Sequence, residues 1–377
     1  MNISSETTRS KLLIVGGFPP EGAKVYGGIV TSCRALVNSQ FAEIFQLELL
    51  DTTQISNPPP MFLVRLVLAS RRFMNYLVKL IIFRPDTVLL FTSRGASLVE
   101  KGMMAWVARC LGVPSMIFPR GGALMVDYDE QKWQQFWIRF LLKGAKIFLC
   151  QGPSWQRFAI DKIGFPQQQT EVVLNWTATS DLLLVGTQRK VEETNPEIRF
   201  LFVGWLEREK GIFELLEACA ALAKERKFLL TIAGRGRVER EAMEYVKSKG
   251  LDQHVSFSGW VEGASLVELY SKHDVFVLPS WTEGFPNSMI EAMACKLAVI
   301  VTDVGNIPDL VSDGEQALLI PSRNVEALKR AMLLMMDNPS AMRGLAQCGH
   351  LMAIEKFSVG KAVDSLVTAV GKCINLS

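Results

Sequence analysis

The 377-residue sequence predicts an α/β protein with two doubly wound parallel sheets, and three observations support this fold class. The chain is about twice as long as a typical single domain, which favours two hydrophobic cores. Short apolar runs alternate with helix-length segments along the whole chain. These runs are apolar on consecutive residues, which is typical of strands that are buried on both faces of a parallel sheet.

The strands are predicted in two groups, one in each half of the chain. In the first half we expect them at 12–16, 43–49, 87–91, 115–119, 146–150 and 171–174. In the second half we expect them at 199–204, 228–234, 254–259, 274–280, 297–303 and 317–321. The sequence turns polar between 175 and 198, as a connection between domains would. This pattern predicts domains at 1–175 and 176–356, facing each other across a cleft.

Composition and charge argue against several classes of protein. The net charge of +3 is too small to indicate a nucleic-acid partner. The seven cysteines are scattered without a C-x-x-C pair, so we expect reduced core thiols in a cytosolic protein. The longest apolar segment, 61–84, is interrupted by four charges, at Arg65, Arg71, Arg72 and Lys79, which argues against a membrane-spanning helix. The sequence also has no cluster with metal-ligand spacing, and we expect no bound metal.

Ligands of doubly wound sheets bind beyond the carboxyl ends of the strands. The strand at 199–204 is followed by Arg208, Lys210 and Gly211, directly before an amphipathic helix. Cations at a helix N-terminus predict an anion site. A solvated charged turn is the alternative, because the stretch EREK mixes both signs of charge.

Two glutamates follow the strand at 274–280, in the stretch PSWTEGFPNSMIEAMACK. Gly284 and Pro286 prevent a helix from running through Glu283, so this carboxylate is predicted in a loop, where it can accept hydrogen bonds from ligand hydroxyls. Glu291 is predicted on the next helix. Ser288-x-x-Glu291 also fits a capping box, which is the purely structural interpretation of the second glutamate.

Glycines and cations recur at the other strand ends. Gly27 and Gly28 would let the backbone approach a phosphate, and Arg120 follows the strand at 115–119. The backbone N–H groups of Phe285, Asn287 and Ser288 are expected to face the same ligand as Glu283. Together these features predict a site for a phosphorylated, hydroxyl-rich molecule such as a nucleotide sugar.

The ordered set GWLEREKG, IAGRG, FSGWV, PSWTEGFPNSMIEAMA and VTDVGNIPDLV resembles the retaining glycosyltransferases of family 4. Glu283 and Glu291 match the E-x7-E motif of that family. The resemblance is specific over 198–335 and looser over 1–175. It implies the GT-B fold, in which two Rossmann-like domains face each other across a cleft. It also implies metal-independent, retaining transfer of a sugar from a UDP- or GDP-linked donor to a saccharide or lipid-linked saccharide, in polysaccharide or lipopolysaccharide biosynthesis.

The resemblance also implies roles for individual residues. Lys210, helped by Arg208, would bind the diphosphate, Glu283 the donor sugar and Glu291 the ribose. The remaining donor contacts are assigned to the backbone at Phe285, Asn287 and Ser288, to Gly234 and Val261 near the base, and to Gly27, Gly28 and Arg120 of the first domain. Two departures stand out: Trp205 replaces a common arginine, and the first domain has no histidine, a place that Arg120 is expected to take. Two alternatives stay open: a nucleotide-sugar epimerase, which shares the GT-B architecture although the E-x7-E context argues against it, and a non-catalytic sugar-nucleotide-binding protein, which only these two departures support.

Acceptor recognition is expected in the first half of the chain. The segment 61–84 carries five Lys or Arg residues and no acid, which favours contact with an anionic membrane surface. We therefore expect a cytoplasmic protein, peripheral on the inner face of a bacterial membrane. Four aromatic residues, Trp133, Phe136, Trp137 and Phe140, have helical spacing and are expected to pack on the sheet. The segment 357–377 is expected to form a final helix that crosses back to the first domain, as is common in GT-B enzymes.

Overall fold

The computed structural model describes residues 9–20, 28–53, 61–130, 132–189 and 197–375. The chain divides into two compact units, of which the first consists of Met1–Asn175 with Val359–Ser377 and the second of Trp176–Ser358. Each unit contains one six-stranded sheet, and neighbouring strands pair in parallel. The predicted fold class, α/β with two parallel sheets, is confirmed.

The first unit has the strand order β2-β1-β3-β4-β5-β6. Its strands are β1 (Lys11–Gly16), β2 (Gln46–Asp51), β3 (Thr87–Thr92), β4 (Ser115–Pro119), β5 (Ile147–Cys150) and β6 (Thr170–Val172). Its helices are α1 (Gly28–Val37), α2 (Phe41–Ile44), α3 (Phe62–Ile82), α4 (Ala96–Cys110), α5 (Ala123–Glu130), α6 (Lys132–Leu142) and α7 (Pro153–Arg157). A π-helical turn, Phe158–Ile163, and a 3₁₀ turn, Gln167–Gln169, lead into β6.

The second unit has the strand order β12-β11-β10-β7-β8-β9. Its strands are β7 (Arg199–Val203), β8 (Leu229–Ala233), β9 (Val255–Gly259), β10 (Val275–Leu278), β11 (Ala298–Thr302) and β12 (Leu318–Ile320). Its helices are α8 (Ser180–Gln188), α9 (Ile212–Leu222), α10 (Glu239–Ser248), α11 (Gly263–Ser271), α12 (Asn287–Ala294), α13 (Ile307–Leu310), α14 (Val325–Asp337) and α15 (Pro339–Lys356). A 3₁₀ turn, Arg208–Lys210, precedes α9.

The strand order of the second sheet sets the position of its ligand crevice. From β7 the chain adds β8 and β9 on one side, and β10, β11 and β12 then extend the sheet on the other side. The order therefore reverses between β7 and β10, which are hydrogen-bonded neighbours. Ligands of open parallel sheets bind at such a switch point, beyond the carboxyl ends of the two strands.

One strand boundary predicted from sequence was wrong, and one helix was missed. The strand predicted at 43–49 begins at Gln46, because the helix α2 occupies the residues before it. A hydrogen bond of 3.2 Å from the Phe41 N–H to Ser39 Oγ stabilises the start of α2. The polar connection predicted between 175 and 198 contains the helix α8, which buries Leu182 in the second unit. The apolar run at 182–185 within this helix was obscured by the polar residues on either side of it.

The predicted packing of the α6 aromatics on the sheet was also wrong. Their exposed fractions are 63% for Trp133, 66% for Phe136, 53% for Trp137 and 40% for Phe140. The core is instead contacted by Ile138, Leu141 and Leu142, on another face of the same helix. Helical spacing placed the four aromatic residues together but did not determine which face meets the core.

The last helix, α16 (Val359–Asn375), belongs to the first unit. It contacts α1 and the strands β3 to β6 and buries Leu366 and Cys373 completely. Its polar anchors are a hydrogen bond from Thr87 Oγ1 to Cys373 Sγ (3.3 Å) and an ion pair between Lys372 and Glu171 (2.5 Å). No helix among the described residues is both long enough and apolar enough to cross a membrane.

We predict that Leu366→Ala destabilises the first unit by about 2–5 kcal/mol, because the truncation leaves a cavity in a fully buried position. Hydrogen exchange followed by mass spectrometry should then speed up in β3 to β6 and stay unchanged in β7 to β12. The control is Thr368→Ala, at an exposed position of the same helix. Equal acceleration in both sheets would contradict this assignment of the helix.

Candidate active site

The exit of β7 lies against the exit of β10. Gly211 ends the 3₁₀ turn in the left-handed region, with φ +69°, and a Cβ atom at this position would lie 2.0 Å from the carbonyl oxygen of Pro279. Only glycine allows both the conformation and the approach. The Trp281 N–H donates to the Glu209 carbonyl oxygen (2.8 Å), which ties the two exits together.

Lys210 and Glu283, one from each of these exits, form an ion pair. Lys210 Nζ lies 2.5 Å from Glu283 Oε1, and the Ser280 hydroxyl donates to the same oxygen at 2.7 Å. The Glu283 side chain is 9% exposed and that of Lys210 is 27% exposed. Two donors therefore hold a largely buried carboxylate in one orientation at the switch point of the sheet.

The exit of β11 supports Glu283 from a third side. Gly305 has φ +62°, and a Cβ atom there would lie 1.8 Å from the Glu283 carbonyl oxygen. The next N–H, of Asn306, donates to the Gly284 carbonyl oxygen at 3.1 Å. The loop that carries Glu283 is thus in direct contact with both neighbouring strand exits.

Glu291 is buried in the second unit, with 7% of its surface exposed. It accepts a hydrogen bond of 2.9 Å from the hydroxyl of Tyr270 on α11. Burial raises the pKa of the Glu291 carboxyl to about 7, while the Tyr270 hydrogen bond acts in the opposite direction. The capping-box interpretation was wrong, because α12 begins at Asn287 after Pro286 and has no side-chain cap, so that Ser288 lies inside the helix.

The residues predicted to present backbone N–H groups lie at the start of α12. Asn287 and Ser288 are its first two residues, at the helix end that favours anions. The side chain of Phe285 is buried, with its ring centroid 5.2 Å from that of Phe357. The Ser288 carbonyl oxygen accepts a hydrogen bond from Tyr270 (3.3 Å), so the same tyrosine contacts both the start of α12 and Glu291.

Arg208 is directed away from the Lys210–Glu283 pair. Its guanidinium forms an exposed ion pair with Glu241 at 2.5 Å and lies 4.8 Å from the ring centroid of Phe213. Arg208 nevertheless belongs to the same 3₁₀ turn as Lys210. The structure thus places the two predicted cations together in the backbone but pairs their side chains with different carboxylates.

The predicted base region lies at the ends of β8 and β9. Gly234 follows β8, and its N–H donates to the Gly259 carbonyl oxygen (2.8 Å). Val261 lies half-buried two residues after β9. Trp205, which follows β7, and Trp260, which follows β9, form an aromatic pair with ring centroids 5.1 Å apart and planes inclined by 44°. The sequence showed both tryptophans but gave no sign that they meet.

The predicted residues of the first unit lie at the carboxyl edge of its own sheet. Gly28 is the exposed first residue of α1, whereas Gly27 lies outside the described residues. Arg120 follows β4, donates to Ser32 Oγ on α1 at 2.8 Å and lies 4.9 Å from the ring centroid of Phe118. Burial lowers the pKa of the Arg120 guanidinium to about 10.

Sequence reasoning missed two side chains that position the glutamates. Ser280 is the last residue of the predicted strand at 274–280, and a hydroxyl three residues before a loop carboxylate was the available signal. Tyr270 gave no signal, because its contact with Glu291 depends on how α11 packs against α12. Within the described ranges, no cluster of His, Cys, Asp and Glu has a geometry that could hold a metal ion.

Comparison with known proteins relates the second unit to glycosyltransferases. Residues 186–349 match the family model described as glycosyl transferases group 1. A putative teichuronic acid biosynthesis glycosyltransferase, TuaC of Bacillus subtilis, is 36% identical over 168 residues, which cover 41% of this chain and 40% of TuaC. A putative colanic acid biosynthesis glycosyltransferase, WcaL of Salmonella typhimurium, is 30% identical over 149 residues, which cover 38% of this chain and 37% of WcaL. The match thus spans about two fifths of the length of each relative.

Solved structures resemble the chain over nearly its whole length. Sucrose-phosphate synthase from Thermosynechococcus elongatus has a TM-score of 0.78 at 19% identity, with 98% of this chain and all of that chain covered. Anabaena HepE in complex with UDP and glucose has a TM-score of 0.70 at 16% identity, with 96% and 100% covered. At these identities the likeness shows the fold alone, which is GT-B.

We predict that Glu291 makes the stability of the second unit depend on pH. Its folded pKa, about 7, lies above the ordinary value of 4.5 for a glutamate, so the folded state binds a proton that the unfolded state releases between these values. The free energy of unfolding should therefore rise as the pH falls from about 8 to about 5, and Glu291→Gln should remove on the order of 2 kcal/mol of this rise. Chemical unfolding at several pH values measures the difference, with the exposed Glu268→Gln as control. Parallel pH profiles for wild type and Glu291→Gln would contradict the assignment.

Proposed function

We propose that this protein is a retaining glycosyltransferase that moves a sugar from a nucleoside-diphosphate sugar, UDP- or GDP-linked, to a saccharide or lipid-linked saccharide. The observation that carries the proposal is the Lys210–Glu283 pair at the switch point of the second sheet. A cation and a carboxylate held side by side match two adjacent parts of such a donor, its diphosphate and its sugar hydroxyls.

Each part of the donor has a chemically suitable partner in the second unit. Lys210 is the cation for the diphosphate, and the start of α12 adds the positive end of a helix dipole. Glu283 and Glu291 supply acceptors for the hydroxyls of the sugar and the ribose, respectively. The Trp205–Trp260 pair offers an aromatic surface close to the region assigned to the base.

The chemical step breaks the bond between the sugar and the diphosphate, so negative charge develops on the phosphate oxygens of the leaving group. Groups that stabilise this charge in a preorganised position lower the barrier. Lys210 is preorganised by its bond to Glu283. When a diphosphate takes Lys210 as its partner, Glu283 keeps the Ser280 hydroxyl as a donor and can accept bonds from the sugar. We propose that this charge stabilisation operates without a bound metal ion.

The first unit has surface properties that suit a membrane-bound acceptor. Ten large apolar side chains of 61–82 are exposed by 48% to 77% of their surface. The segment 61–84 is basic, although Arg72 and Lys79 already pair with Glu100 and Glu48. We propose that this helix contacts an anionic membrane at the cytoplasmic face, in the synthesis of a cell-surface polysaccharide or lipopolysaccharide.

The overall test incubates the protein with a panel of UDP- and GDP-sugars, with and without saccharide acceptors. We expect nucleoside diphosphate release that depends on the acceptor. Conversion of the donor to an isomer without release would indicate an epimerase, and binding without either reaction would indicate a non-catalytic protein.

Glu283→Gln should lower transfer by about 10²-fold or more, because the loop and its shape are kept while the charged acceptor is lost. Nucleoside diphosphate affinity should change little. The matched control is Glu268→Gln, which breaks an exposed Glu–Lys pair of the same length, 2.5 Å, on α11. Transfer at the wild-type rate in Glu283→Gln would refute the proposed role of this carboxylate.

Lys210→Ala should lower the affinity for the nucleotide sugar and for its nucleoside diphosphate together, by about 10- to 100-fold, because a charged hydrogen bond contributes ~1.5–3 kcal/mol. Calorimetric titration with UDP and GDP measures the effect. The control is Lys272→Ala, which removes the lysine of the exposed Glu268–Lys272 pair and should leave both affinities unchanged. Wild-type affinity in Lys210→Ala would place the anion site elsewhere.

A further inference from the structure

The first unit contains a cavity of about 1060 Å³, and Gly28 is the one residue assigned to the donor that contributes to its wall among the described residues. It lies between α3 and α4, beside the exits of β1, β2 and β3, where Gly17, Thr52 and Ser93 form part of its wall. This volume is at the upper end of the range of small-molecule sites, about 300–1,000 Å³. The cavity opens at the sheet edge at which parallel sheets bind their ligands.

Most of the cavity wall is apolar. The apolar side chains that contribute to it include Phe62, Leu66, Phe73, Met74, Val99 and Met103. Leu66, Met74 and Val99 are 54%, 59% and 52% exposed, so the concave surface leaves hydrocarbon in contact with solvent. A bound hydrocarbon chain would remove this surface from water, at ~0.8 kcal/mol per buried methylene group.

The same wall contains a cluster of partly buried charges, with a positive balance once Arg65 is included. Glu100 accepts from Arg72 Nε and from Lys101 Nζ, each at 2.7 Å, and Lys101 is only 3% exposed. Arg65 also lines the cavity, and Asp51 is the further carboxylate whose charge acts on Lys101. The three cations outnumber the two carboxylates, and the exposed Arg65 supplies the excess positive charge that favours an anion.

We propose that this cavity binds the hydrocarbon chain and the phosphate of a lipid-linked glycan acceptor. The inference rests on the proposed function and specifies its acceptor class. An apolar wall with a net positive charge matches a lipid phosphate, and it matches neither a free saccharide nor an uncharged lipid. Because the cavity lies at the ligand-binding edge of the sheet, its occupant is the substrate's own chain and not a phospholipid of the bilayer.

Titration calorimetry with farnesyl phosphate, a soluble isoprenoid monophosphate, tests the proposal on the full chain. We expect Leu66→Asp, which places a charge in the cavity wall, to weaken binding by about tenfold or more. Val78→Asp is the matched control, because Val78 is similarly exposed (48%) on the same helix but does not line the cavity. An equal loss of affinity in both variants would show that farnesyl phosphate adsorbs to the outside of α3, and it would overturn the proposal.

A second pair of variants tests the phosphate. Arg65→Gln should lower the affinity for farnesyl phosphate by about three- to tenfold. Arg71 is an exposed arginine on α3 outside the cavity, so Arg71→Gln should have little effect. Farnesol and inorganic phosphate, each carrying one half of the ligand, should bind at least about tenfold more weakly than farnesyl phosphate. Dihexanoyl phosphatidic acid that binds as tightly as farnesyl phosphate would overturn the assignment to an acceptor.

The failure of this inference can be separated from a failure of the proposed function. Nucleotide-sugar turnover that is intact while farnesyl phosphate fails to bind would overturn the acceptor site alone. Farnesyl phosphate binding with the expected variant pattern, together with no turnover of any UDP- or GDP-sugar, would overturn the proposed function alone.

Discussion

The candidate donor site depends on one constraint, the parallel alignment of the neighbouring strands β7 and β10. Because their carboxyl ends meet at one edge, Lys210 and Glu283 come into contact although 73 positions separate them in the chain. The Glu283 carboxylate is almost removed from water, so it needs the charge of Lys210 and the hydroxyl of Ser280. A ligand at this site therefore meets groups that are already oriented, and it has to compete for a lysine that already has a partner.

Backbone contact makes this arrangement rigid. Gly211 and Gly305 bring the exits of β7 and β11 against the backbone of the β10 exit, at distances that any side chain would prevent. The loop that carries Glu283 is consequently held by its neighbours, and its conformation does not depend on side-chain packing alone. Such loops combine the exposure needed for binding with the precision of the sheet beneath them.

The parts of the site that could be predicted from sequence are those set by local chemistry. Gly284 and Pro286 place Glu283 in a loop, and consecutive apolar runs predict the strands that precede it. The rest depends on packing between distant elements. Tyr270 reaches Glu291 only after α11 and α12 have packed, and Ser288 occupied the right place in a capping pattern while the helix began one residue earlier. Likewise, helical spacing could not reveal that the aromatic residues of α6 face solvent.

The position of α16 has a consequence for biosynthesis. The first unit consists of two stretches of chain, and the whole second unit, Trp176–Ser358, is translated between them. Synthesis proceeds at ~5–20 residues per second, so the faces of β3 to β6 that α16 will cover remain uncovered for about 10–40 s. Until α16 packs, the first unit exposes the apolar surface that Leu366 and Cys373 will bury. The unit whose synthesis begins first therefore cannot finish folding until the last helix has been made, and until then its uncovered apolar face is a target for chaperones.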